Sequence, residues 1–228
     1  MVKSKAKRFL IFCFMAFCLT WSLSAQTRKP RLVVTIAIDG LQNDHLSTLS
    51  NSFEKNGFKL LMNGTVIPQN YCNYSGNGTN TDYASLLTGS IPYYHGIVGD
   101  KRYHLVEDNV VSILFDGRFQ GINSDLTISP KQLATTTLAD VIKLNNPQSK
   151  VYAMALTAEH AVILGGHVAD GAIWIDDKTG KLATTNFYTK GLPAWADKVN
   201  ISQTIDNYLQ YEWRPLWGIE SYKFPPTS

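Results

Sequence analysis

The sequence predicts an α/β protein, a mostly parallel sheet flanked by helices, and three observations carry that expectation. Residues 32–38 (LVVTIAI) and 150–156 (KVYAMAL) are apolar runs without the alternation of a half-exposed strand. That is the pattern of strands buried on both faces of a parallel sheet. Between them lie segments with helix start and stop signals, of which Ser129-Pro130 is the clearest, with a Ser at the cap and a Pro in the first turn. Strands alternating with helices in this way build a sheet covered by helices.

The elements follow in chain order. The run 32–38 ends abruptly at Asp39-Gly40, and residues 42–56 are expected to contain a helix that stops near Gly57. Residues 58–62 continue the apolar pattern, and 65–67 read as a second strand closed by Pro68. The segment 71–80 (YCNYSGNGTN) is a loop by composition. A helix opens at Thr79 or Asn80 and runs to Leu87, stopped by Thr88-Gly89-Ser90 and Pro92. Residues 93–125 read as loops and short strands, among them 109–115. The helix that starts at Ser129-Pro130 is expected to run to about Leu144, ahead of Pro147. After the strand 150–156 comes an apolar segment, 161–164, and then Gly165-Gly166-His167. Residues 173–176 and 181–187 form a hairpin around Lys178-Thr179-Gly180, and 192–210 carry a last helical pattern.

The first 25 residues read as an address. Lys3, Lys5, Lys7 and Arg8 precede an uncharged apolar run, and Ser22-Leu23-Ser24-Ala25 supplies small residues. This is the order of a secretory signal peptide cleaved after Ala25; the run is short for a membrane span, which needs about 20 apolar residues. Residues 26–228 are then the folded part, periplasmic or secreted, with no membrane span. The signal carries four basic and no acidic groups, so the formal charge of +3 falls to −1 without it. No basic stripe remains to track a nucleic-acid backbone. Cys13 and Cys18 leave with the signal, so Cys72 alone remains and no intrachain disulfide is expected. The composition, 44% hydrophobic and 17% charged, is that of an ordinary globular protein.

Two residues stand where chemistry is expected. Asp39 lies at the C-terminal end of a strand, where open α/β sheets bind ligands, and a carboxylate there can hold a cation. Taken alone, it reads more readily as a turn Asp before Gly. Thr79 follows Gly76-Asn77-Gly78 and opens a helix, whose first N–H groups and dipole favour a phosphate. A hydroxyl at that point faces the anion as a nucleophile; the plain alternative is a Thr cap. Asp82 and Asp100 follow loop residues, from which they could approach such a site; exposed loop carboxylates are the plain alternative. His45, His95, His104, His160 and His167 form no paired-ligand motif and read as structural.

Together these segments resemble the alkaline phosphatase superfamily. LVVTIAIDG is similar to its metal-binding start, and residues 79–100 (TNTDYASLLTGSIPYYHGIVGD) resemble the stretch that opens with its Thr nucleophile. Residues 163–176 (ILGGHVADGAIWID), with Leu192-Pro193-Ala194-Trp195 and Trp213-Arg214-Pro215-Leu216, resemble its bacterial periplasmic Thr-nucleophile branch. That branch is related to the type I phosphodiesterases and nucleotide pyrophosphatases. The resemblance implies an alkaline phosphatase-like catalytic domain, of which residues 26–228 would be the N-terminal part, incomplete at the C-terminus. It implies a phosphate ester substrate and two Zn2+ ions per complete site. Asp39 and Thr79 would bind metal, and Thr79 would attack phosphorus.

Two departures qualify the expectation. The positions where the branch's phosphomonoesterases hold the phosphate with Lys and Arg match Thr157 and Glu159, and the phosphate-contacting Asn is matched by Asp100. Carboxylates repel a dianionic monoester more than a monoanionic diester. The family's remaining metal ligands lie beyond the matched region, so full catalysis is not expected from these residues alone. Three readings follow: a metal-dependent phosphoric ester hydrolase, a phosphodiesterase or nucleotide pyrophosphatase, and a non-catalytic exported binding protein.

Overall fold

The computed structural model describes residues 30–67, 71–72, 74–76 and 78–212, with four more beyond (214, 215, 218 and 221). The signal peptide expected over 1–25 lies outside them. Contacts divide the chain into two units, one up to Val66 and one from Ile67.

In the first unit, residues 32–38 are extended but join no ladder among the described residues. Leu32, Val34 and Ile36 are exposed, at 78%, 67% and 65%. The expected buried strand is therefore not observed in this unit. Apolar, β-branched residues favour an extended backbone, but burial depends on a partner. The chain turns at Asp39-Gly40, where Gly40 adopts φ +70°. Helix α1 (Asn43–Thr48) opens with a reciprocal cap between Gln42 and His45. A 3-10 turn (Ser50–Ser52) follows, and α2 spans Phe58–Met62. The single helix expected over 42–56 is broken at Leu49, ahead of Ser50-Asn51-Ser52, whose short polar side chains compete for the backbone. Residues 65–67 are not a strand.

The second unit contains the core. Helices α3 (Thr79–Thr88) and α4 (Pro92–His95) lead into a hairpin of β1 (Lys101–His104) and β2 (Asn109–Ser112). Then come β3 (Gly121–Ile122), a 3-10 turn (Pro130–Gln132), α5 (Leu138–Asn145), β4 (Tyr152–Ala155), α6 (Ala158–Gly165), β5 (Gly171–Ile175) and β6 (Leu182–Thr185). Helices α7 (Ala194–Ile201) and α8 (Thr204–Leu209) close the described chain.

The sheet order is β3-β6-β5-β4. The pair β4/β5 is parallel; β5/β6 and β6/β3 are antiparallel. The class is α/β as expected, and the described sheet is mixed rather than mostly parallel. Connection length decides the difference: β4 reaches β5 through α6, whereas β5 reaches β6 through a tight turn that permits only antiparallel pairing. Asp176 fastens that turn by accepting from the amides of Lys178 (3.2 Å) and Thr179 (3.0 Å). Gly180 supplies the positive φ of +64° that the turn requires.

The helix expected from Ser129 to about Leu144 is two elements. Ser129 caps only the 3-10 turn. The β-branched run Thr135-Thr136-Thr137 interrupts the helix, and Thr137 then caps α5 through a reciprocal box with Asp140. The core joins α3 and α6 to the sheet: Ala84 of α3 and Ala158, Ala161, Val162 and Ile163 of α6 are buried with Ile97, Leu114, Ile128 and Trp174. Small residues at Ala84, Ala158 and Ala161 let α3 and α6 approach closely, which holds α3 against the sheet's helical layer. Among the described residues, no helix is long and apolar enough to cross a membrane.

Candidate active site at the start of helix α3

Thr79 is the first residue of α3, and Gly78 before it adopts φ +134°. Only glycine takes that backbone readily. A second constraint acts at the same residue, because a Cβ at Gly78 would lie 2.6 Å from both carboxylate oxygens of Asp100. The glycine thus admits a carboxylate to the helix start. The amide of Asn80 donates to Asp100 Oδ1 at 3.2 Å. An anion therefore occupies the open N–H end of the ten-residue helix, as its dipole favours. The amides of Thr81 and Asp82 turn inward to Gly78 O, at 3.1 and 3.3 Å.

From Asp100 a chain of contacts runs to the other candidate residues. The carbonyl of Asp100 accepts from the amide of Ile113 at 2.9 Å, which anchors it beside the end of β2. Ser112, the last residue of β2, donates through Oγ to Glu159 Oε1 at 2.7 Å. Glu159 sits in the first turn of α6, and Thr157 caps that helix by accepting from the amide of His160 at 3.4 Å. The rings of Tyr83 in α3 and His160 in α6 lie 4.4 Å apart, centroid to centroid. So Asp100 and Glu159 are joined through neighbouring residues at the end of β2, and α3, which Thr79 opens, packs against α6, which Thr157 caps. Asp39 belongs to the first unit, where it is exposed in the turn after the extended run. Asp82 lies close to Gly76, and its Oδ1 receives the Tyr74 hydroxyl at 3.5 Å.

The histidines fill structural places. His45 takes part in the α1 cap, and His104 Nδ1 accepts from the Glu107 amide while its ring meets Phe115 edge-on. His95 is fully buried between Ser85 and Ile97, and burial holds its pKa below the usual histidine value. His167 Nδ1 lies 2.9 Å from Asp140 Oδ2 and its Nε2 lies 2.9 Å from Leu133 O. The role of Ser112 as the partner of Glu159 has no signal in the sequence, since 47 residues separate the two.

Two buried side-chain oxygens in the first turn of α3, Asn80 Oδ1 and Thr81 Oγ1, have no hydrogen-bond partner among the described residues. Such an orphan costs on the order of 1–3 kcal/mol. Among the described residues no three His, Cys, Asp or Glu side chains come together as a metal-binding group. A catalytic zinc takes three protein ligands. The described donors, Asp39 and the Thr79 hydroxyl as the two candidates, do not fit a whole zinc site.

Comparison with known proteins identifies the family. The sequence pattern described as type I phosphodiesterase / nucleotide pyrophosphatase matches residues 33–216. Alkaline phosphatase PafA of Elizabethkingia meningoseptica is 32% identical over 200 residues, covering 85% of this chain and 37% of that protein. Alkaline phosphatase PhoV of Synechococcus elongatus is 31% identical over 209 residues, covering 85% and 36%. A protein of Myroides odoratus named a calcium-transporting ATPase is 31% identical over 215 residues, covering 92% and 39%. The crystal structure of wild-type PafA superposes with a TM-score of 0.80 at 30% identity, over 86% of this chain and 39% of that one. The chain thus spans about two-fifths of the length of the relatives it matches. With the family pattern matched across most of its length and the fold shared with PafA, the chain belongs to the type I phosphodiesterase / nucleotide pyrophosphatase family of the alkaline phosphatase superfamily.

Proposed function

We propose that this chain carries the nucleophile-bearing part of a metal-dependent phosphoric ester hydrolase, with Thr79 as the nucleophile. One observation carries the reading: the helix start that presents Thr79 already holds an anionic group, the Asp100 carboxylate on the Asn80 amide. A phosphoryl oxygen is the substrate's counterpart of that carboxylate. In the first step Thr79 Oγ1 bonds to phosphorus as the bond to the leaving oxygen breaks, and the Thr proton passes to solvent. In the second, water attacks the phosphothreonine, the P–Oγ1 bond breaks, and the hydroxyl is restored. Zinc is the metal proposed; Asp39 in the first unit and Thr79 in the second are separate candidate donors, and a bound ion would stabilise charge on the reacting oxygens. The basic and apolar order of residues 1–25 supports export to the periplasm or beyond.

Asp100 and Glu159 favour a second reading within the same chemistry, a phosphodiesterase. Asp100 is a carboxylate on the helix start that presents Thr79, Glu159 is a carboxylate matched by resemblance to a phosphate-holding position, and Thr157 is engaged as a helix cap. A diester brings one negative charge fewer than a monoester and is repelled less. The test is hydrolysis of nitrophenyl phosphate and bis-nitrophenyl phosphate by residues 26–228 in zinc-containing buffer. Turnover, kept low by the incomplete donor set, is expected to favour the diester, to vanish in Thr79→Ala and to stop with a chelator. Asp100→Asn is expected to raise the monoester rate about tenfold relative to the diester rate, the effect of one screened charge. Binding of either ester without turnover would leave the non-catalytic reading.

A further inference from the structure

His95 is buried completely, ten residues after Ser85, with both ring nitrogens engaged. The partners settle which nitrogen carries the proton. The backbone amide of Ile97 points at Nδ1 at 3.1 Å, and an amide can only donate, so Nδ1 is an acceptor without a proton. In the neutral ring the proton then sits on Nε2, which lies 2.9 Å from Ser85 Oγ and donates to it. Ser85 Oγ keeps its own proton for the carbonyl of Thr81 at 2.9 Å. The relay is therefore directional, from Ile97 N–H into His95, from His95 into Ser85, and from Ser85 into Thr81 O. It ends in the first turn of α3, two residues from Thr79.

The direction excludes one use and suggests another. A Ser–His pair in which the ring donates to the hydroxyl cannot draw the proton off that hydroxyl, so Ser85 is not an activated nucleophile. The carbonyl of His95 accepts from the amide of Ala134 at 2.9 Å, which fixes the far end of the relay to the segment after the Pro130–Gln132 turn. A Ser hydroxyl bonded to the carbonyl four residues earlier bends a helix and competes for its geometry. Here a second donor holds that hydroxyl in one orientation. We infer that His95 is a positioning residue for the Thr79 helix: through Ser85 it fixes the Thr81 carbonyl, and with it the peptide whose Asp82 amide closes the first turn on Gly78 O. The inference deepens the proposed phosphoryl-transfer reading and rests on it only for the consequence in catalysis.

The test separates the two. With histidine-15N label in residues 26–228, long-range 1H–15N spectra at neutral pH are expected to show His95 as the Nε2–H tautomer. A proton on Nδ1, an averaged ring or an imidazolium would overturn the inference. Amide hydrogen exchange then reads the position of the helix start. His95→Gln, which keeps a donor near the Nε2 position, is expected to retain the wild-type protection of the Thr81 and Asp82 amides. His95→Phe is expected to exchange there about tenfold faster, the size of one buried hydrogen bond, with the Ala172 and Ala183 amides of the sheet unchanged as the control. Equal exchange in His95→Phe and wild type, or a uniform loss that includes the sheet, would contradict a positioning role. A correct tautomer and a correct exchange pattern in a chain that forms no phosphothreonine would leave this inference standing and remove the catalytic reading instead.

Discussion

Two histidines of the second unit, the buried His95 and the half-buried His167, each engage both ring nitrogens and arrive at different charges, neutral and cationic. His95 Nδ1 faces an amide donor, so one of its nitrogens must be bare and the ring is neutral. His167 faces two acceptors, the Asp140 carboxylate at Nδ1 and the Leu133 carbonyl at Nε2, and only an imidazolium donates to both. The surroundings agree with the geometry. Burial lowers the pKa of His95 from its ordinary 6.5, whereas the Asp140 hydrogen bond, working against burial, raises that of His167 from the same 6.5. The difference teaches that a histidine packed into a fold takes its charge from the chemistry of its partners, and that depth alone does not set it. It also separates two duties. His95 aims the helix that presents Thr79, while His167 and Asp140 bind the loop after α6 to the start of α5.

The largest way to break the comparison is to remove the anion that defines the His167 site. Asp140 is 1% exposed and accepts from the amides of Thr137 (2.9 Å), His167 (2.7 Å) and Val168 (3.0 Å) as well as from the His167 ring. Burial pushes its pKa up, but the His167 ring and these amides together outweigh that and bring it down to about 2. Asp140→Ala strands three amides and a cation, and unfolding in urea should show a loss of about 3–5 kcal/mol. His167→Gln, which keeps a neutral donor toward the carboxylate, should cost less.

A smaller effect distinguishes the two rings by pH. The folded pKa of His167 lies above its unfolded value near 6.5, so its contribution is fully present below that value and is lost as pH rises through the folded pKa. The folded pKa of His95 lies below the unfolded value, so its contribution is present above about 6.5 and is lost as pH falls through the folded pKa. Asp140 adds a further loss at much lower pH, between its unfolded value near 3.9 and about 2. Thermal unfolding across pH 5 to 9 is expected to show both histidine arms. His167→Gln should flatten the alkaline arm alone and His95→Gln the acidic arm alone; one variant removing both arms would refute the separation.

Neither ring pair was legible in the sequence. His95 lies ten residues from Ser85 and His167 lies 27 from Asp140, and no local period links either pair. What was legible was local. The helix at Thr79 began where a Gly-rich loop gave way to helix formers and ended at Gly89, whose φ of +64° closes it. The β5–β6 hairpin was marked by Lys178-Thr179-Gly180. Asp100 stood out by its place after a loop and Glu159 through resemblance to a family pattern, and their placement, Asp100 on Asn80 and Glu159 on Ser112, came only from the fold. The run 32–38 shows the converse. Its apolar pattern predicted a buried strand, yet Leu32 and Val34 are exposed, because side-chain preference specifies an extended backbone and not the neighbour that covers it. The helix expected over 130–144 failed for a local reason, the competing cap at Thr137.

The most direct test of the account is to trap the intermediate on Thr79. Residues 26–228, supplied with zinc and bis-nitrophenyl phosphate, would be quenched in acid and digested, and the peptide carrying residues 79–88 sequenced by mass spectrometry. With the donor set incomplete, a nitrophenylphosphoryl group is expected on a small fraction of Thr79 in the wild type and on none of that peptide in Thr79→Ala. A phosphoryl adduct on another residue, turnover that survives Thr79→Ala, or an unmodified Thr79 under these conditions would contradict it.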